Sequence, residues 1–159
     1  MYSKCKFLCT VKQDFLFHCQ KKKTNMKYSL LAGRVLFAFI FILSASGHFK
    51  PETIAFAASQ GVPFASFSVP LSGVVELLGG LSILLGYKTR IGAWLIVLFL
   101  IPVTFSLHQF WKIQDPMAQQ MDIAAFMKNI SMIGAALIIA YFGSGPLSID
   151  ARLSRKTSH

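Results

Sequence analysis

Four apolar runs divide the chain at about residues 28–47, 70–86, 91–107 and 123–142, each bounded by charged or turn-forming residues. Each holds roughly 17 to 20 residues, which at 1.5 Å rise gives about 25 to 30 Å of helix, the thickness of a bilayer core. The second and third runs are joined only by Tyr87-Lys88-Thr89-Arg90, a turn short enough to force two antiparallel helices. Between the first two runs lies a longer connection, 48–69, broken by Pro51, Gly61 and Pro63. Within it, 52–59 reads as a short interfacial helix. Phe110 and Trp111 follow the third run as an aromatic belt would. The pattern predicts an all-α integral membrane four-helix bundle.

Composition agrees. Hydrophobic residues make up 54% of the 159 and charged residues only 14%, against roughly a quarter in soluble domains. That apolar excess leaves no room for an independent soluble catalytic domain. The net charge of +10 raises nucleic-acid binding as a reading, but its basic residues sit between the apolar runs rather than along one polar face. In that arrangement they set orientation. With the N-terminus inside, twelve of the sixteen Lys and Arg fall on inner segments, and only Lys50 and Lys112 on outer ones. Both termini are therefore expected in the cytoplasm, with the lipid bilayer as the main partner and no nucleic acid.

Residues 1–25 read as a disordered or extraneous extension ahead of Met26, followed by a membrane domain over 26–150 and a basic cytoplasmic tail over 151–159. The extension holds all three cysteines, and Cys5, Cys9, His18 and Cys19 fit no common zinc spacing. No metal site is expected. Ser44-Ala45-Ser46-Gly47 would suit signal cleavage, but the apolar run is a full span and three more follow.

Charges inside a span cost at least about 2.5 kcal/mol to insert, so they mark pairing or function. Arg34 is expected near the inner end of its helix, its stem snorkelling to lipid phosphates, and Arg90 at the inner turn is likewise a structural or interfacial charge. Glu76 and Lys128, the latter beside Asn129, fall at matching depth below the outer surface, which suggests a buried ion pair or the floor of a pocket. Gly79-Gly80 allows close backbone approach beside it. His48 and His108 end their helices on the outer side, with Lys50 at the rim, and could hydrogen-bond a quinone carbonyl. From Met26 onward there is no cysteine for thiol chemistry, no P-loop and no Ser-His-Asp set.

From Gly33 to Asp150 the chain resembles the DoxX family of small bacterial four-helix membrane proteins. The resemblance rests on Gly33-Arg34, Ser46-Gly47 with Lys50, Glu76 before Gly79-Gly80, Leu85-Gly86 with Thr89-Arg90, Phe126-Met127-Lys128-Asn129, and the closing Gly143-Ser144-Gly145-Pro146-Leu147-Ser148-Ile149-Asp150. It implies a multi-pass protein of the bacterial inner membrane, acting as an accessory or anchoring subunit of a redox complex coupled to quinone. It transfers no catalytic residue, so the polar positions above rest on the residues alone. The alternative is a small-solute or anion permease, since charges in a span also line substrate paths. Small residues such as Gly73, Gly134 and Ala136 suit tight packing within one chain or in a homo-oligomer.

Overall fold

A computed structural model describes residues 26–156; the cysteine-bearing extension expected at 1–25 and the end of the tail lie outside them. The first helix, α1, covers residues 26–45 and tightens into a 3₁₀ turn at Ser46–Phe49. Then come α2 (Pro51–Ser59), α3 (Ala65–Leu85), α4 (Thr89–Leu107), a short 3₁₀ turn at Phe110–Lys112, α5 (Pro116–Phe142) and α6 (Ile149–Lys156). Among the described residues there is no strand, and four helices are long and apolar enough to cross a membrane.

Two spans begin five or more residues before their apolar runs. The third helix starts at Ala65, which leaves Pro70 inside it rather than at its head. Proline so near a helix start removes one N–H bond, and membrane helices tolerate the loss when neighbouring groups cover the freed carbonyl. The fifth helix starts at Pro116, seven residues before the apolar run. Asp115 caps it by accepting from Ala118 N–H at 2.7 Å, and Pro116 needs no N–H at that first position. This polar first part of α5 stands above the apolar portion.

The bundle is centred on α4, whose Ala93, Ile96, Val97 and Leu100 pack with Phe41 of α1 and Ala136 of α5. Gly79 of α3 lies so close to α4 that a methyl there would sit 3.1 Å from the Gly92 carbonyl oxygen and 2.8 Å from Ile96. Small residues thus bring α3 and α4 together without a hydrophobic driving force, as lipid requires. The outward faces are apolar too: Leu36 and Phe39 of α1, Trp94 and Leu98 of α4, and Leu137 and Ile138 of α5 are exposed. On a soluble domain such a surface would aggregate; around a bundle it is the lipid contact.

The end of the bundle at which α1 begins is closed by the chain after α5. Asp150 N–H donates to Gly86 O at 2.9 Å, and the Asp150 carboxylate accepts from the Lys88 and Thr89 N–H groups that open α4. Gly86 holds φ of +68° between α3 and α4, and a side chain there would strike Ser148 and the Arg34 guanidinium.

Candidate functional site

The half of the bundle away from that closed end holds a buried acid. Glu76 of α3 is only 2% exposed, and it faces the join between α1 and the 3₁₀ turn. Ser44 and His48 stand four residues apart there, so one helical face presents both. Ser44 Oγ donates to Glu76 Oε1, and it is also 2.8 Å from the Ile40 carbonyl. His48 Nδ1 lies 3.2 Å from Glu76 Oε2, close enough for an ion pair but misaligned for a hydrogen bond, so both atoms are buried without a hydrogen-bond partner. The imidazole is fixed from two further sides. Its Cβ passes over Gly73, and its ring meets Phe99 edge-on at 5.5 Å.

His48 also forms part of the wall of a cavity of about 280 Å³ among α2, α3 and α4. Its other walls are chiefly apolar, including Ala57, Val69, Val75, Phe99 and Val103. Leu71, Leu98 and Pro102 border it and are exposed, so the cavity opens between α3 and α4 on the lipid-facing flank. The hydroxyl of Ser68 donates to the Pro63 or Phe64 carbonyl just ahead of α3 and that of Ser72 to the Val69 carbonyl within it, so both protons are spent on backbone. The imidazole is the wall's one titratable group. A neutral imidazole protonated on Nδ1 offers Nε2 as a hydrogen-bond acceptor; as imidazolium it is a donor.

The expected Glu76–Lys128 pair does not form. Lys128 is exposed while its neighbour Asn129 is buried at 4%. Adjacent helical residues differ by about 100° in direction, so only one of the two faces inward. Lys128 lies six residues, roughly 9 Å, below Asp122, which is level with the end of α4.

His108 has its own carboxylate: its Nδ1 is 2.8 Å from Asp122 Oδ1, across α4 and α5. It does not line the cavity, although Ser106 and Leu107 before it do. Lys50 is exposed at the head of α2. The structure therefore brings together His48 and Glu76, adds Ser44 and Asp122, and leaves Lys50 and Lys128 on the surface. Both histidines carry a carboxylate at Nδ1, a feature that sequence did not reveal because the partners lie on other helices. No group of three His, Cys, Asp or Glu among the described residues could hold a metal ion.

Arg34 also departs from its expected place. It does not snorkel: it is 6% exposed, and its guanidinium donates to the Ser144 carbonyl and, at 2.8 Å, to that of Leu147. The carbonyls come from the irregular chain after α5, which lacks helical donors of its own. Arg90 stays exposed at the inner turn.

The architecture is that of a small multi-pass α-helical membrane protein with one buried acid beside an apolar cavity. Residues 29–109 match the DoxX family. The chain is 32% identical over 129 residues to inner membrane protein YqjF of Escherichia coli strain K12, covering 80% of this chain and 93% of that protein. Inner membrane protein YphA of the same strain is 29% identical over 125 residues, 77% of this chain and 89% of YphA. The yeast ER-derived vesicles protein ERV29, from Saccharomyces cerevisiae, is 27% identical over 79% of this chain but only 34% of its own length. No solved structure matches. The chain belongs to the DoxX family.

Proposed function

We propose that this protein binds a membrane quinone in the outer cavity and serves as an inner-membrane accessory or anchoring subunit for a redox partner. The observation that carries the reading is His48, which lies on the cavity wall with buried Glu76 behind its Nδ1. A quinone ring is apolar apart from its two oxygens, and the cavity is apolar apart from a few positions. It also opens where a lipid-soluble ligand arrives. Neutral His48 accepts from a quinol hydroxyl, whereas the imidazolium, stabilised by the Glu76 carboxylate, donates to a quinone carbonyl. The names of the E. coli relatives support an inner-membrane location. The distribution of basic residues supports cytoplasmic termini.

The test uses the purified full chain in detergent, titrated with a short-tailed ubiquinone analogue and followed by quenching of its two tryptophans. Saturable quenching is expected, and His48→Ala should weaken it about tenfold, the equivalent of one hydrogen bond of ~1.4 kcal/mol. Unsaturable quenching, or equal affinity in the variant, would sink the reading. The anchoring role predicts that an oxidoreductase accompanies the chain from native membranes in mild detergent.

A further inference from the structure

At the inner end of the bundle, α6 is held in one place. The Asp150 backbone and carboxylate fasten its first turn to Gly86, Lys88 and Thr89, and Arg34 fixes the chain just before it. On α6, Ile149 and Leu153 recur four residues apart and are 37% and 50% exposed. Arg152 and Lys156, also four apart and exposed, edge that apolar stripe. Asp150 takes the bundle side. An apolar stripe bordered by cations is the pattern of a helix lying in the plane of a membrane surface.

The start of α4 extends this surface. Lys88 and Arg90 are exposed and line an open groove together with Ile91, Phe142, Ser144 and Ser154. Phe142 and Ile91 are 75% and 58% exposed beside those two cations. The groove's one carboxylate, Asp150, is already engaged by two backbone N–H groups. Lys88 and Arg90 thus share the groove with a single acid whose oxygens accept from the backbone, and Arg152 and Lys156 add two exposed cations on α6.

We propose that this inner end is a docking surface for anionic phospholipid headgroups of the adjoining leaflet. The phosphate oxygens accept hydrogen bonds from Lys88 and Arg90, and α6 lies alongside with its basic edge toward neighbouring headgroups. Exposed Ile91, Phe142, Ile149 and Leu153 contact the acyl chains. A soluble anion would satisfy only the cations, so the apolar half of the surface selects a lipid. This inference is independent of the quinone reading and needs only that the chain sits in a bilayer.

Native mass spectrometry of the purified full chain, exchanged into detergent with phosphatidylglycerol or phosphatidylcholine, tests it without depending on insertion orientation. Phosphatidylglycerol should be retained at several-fold higher occupancy, falling by up to about fivefold for each basic residue removed. The Lys88→Gln/Arg90→Gln variant and a fourfold variant adding Arg152→Gln and Lys156→Gln should lose that preference progressively, with helix content by circular dichroism unchanged. Equal retention of the two lipids, or a preference that survives all four substitutions, would overturn the proposal. So would complete displacement of phosphatidylglycerol by millimolar inorganic phosphate, which would identify a site for any anion.

Discussion

Gly73 allows the His48 segment to lie against α3. A methyl at that position would stand 2.6 Å from His48 Cβ and 3.3 Å from the Ala45 carbonyl oxygen, both tied directly to backbone. Gly73→Ala should therefore push the turn outward, cost roughly 1–3 kcal/mol of stability as overpacking does, and weaken quinone binding. Gly33→Ala is the matched control, because nothing lies within 4 Å of its added methyl. Thermal unfolding in detergent should separate the two, and equal midpoints would show that the α1–α3 approach is looser than described. The same scale explains what sequence could tell of the site. His48 and Glu76 stand out as polar groups in apolar runs. Their pairing does not, because depth along a helix can be counted but its rotation cannot. Lys128 has the matching depth and the wrong azimuth. A double-mutant cycle between Glu76→Gln and Lys128→Gln should accordingly show coupling within about 0.5 kcal/mol, as for residues without a shared contact.

The interhelical turn at 86–89 is stabilised by a residue more than sixty positions away. Asp150 does for α4 what a local N-cap does for most helices, accepting from Lys88 and Thr89 N–H at 2.9 and 3.2 Å. Asp150→Ala should cost about 1–2 kcal/mol, the usual value of a lost cap, and it should raise amide hydrogen exchange first at 88–90. Uniform exchange at those amides in both proteins would contradict the capping role. Helix boundaries show why periodicity gives elements more reliably than their ends. The apolar runs mark the lipid-facing lengths, whereas α5 continues into polar sequence as far as the Asp115 cap, and α3 begins at Ala65 without a side-chain cap. Asp115-Pro116 carries a readable start signal, an N-cap followed by proline at the first position. Pro70 gives the opposite signal and is overridden, because the helix continues through it to Ala65.

Across the whole molecule, the proposed orientation makes a direct prediction. In a variant whose Cys5, Cys9 and Cys19 are serine, Gln60→Cys between α2 and α3 should react with an impermeant thiol reagent in intact cells. Ser154→Cys on α6 should react only after permeabilisation. The reverse pattern would place the termini outside and would exchange the leaflets of both proposed ligand sites. Arg34 carries a consequence of another kind. It belongs to the first span to leave the ribosome, yet its hydrogen-bond acceptors, Ser144 and Leu147, are 110 and 113 residues later. Throughout synthesis of the intervening three spans that guanidinium lacks both of these acceptors. Closure of this end of the bundle through Arg34 therefore waits until synthesis has reached residue 147. A chain released before residue 147 displays an unsatisfied charge at the membrane boundary, which gives a membrane protease a local mark for telling unfinished copies from finished ones.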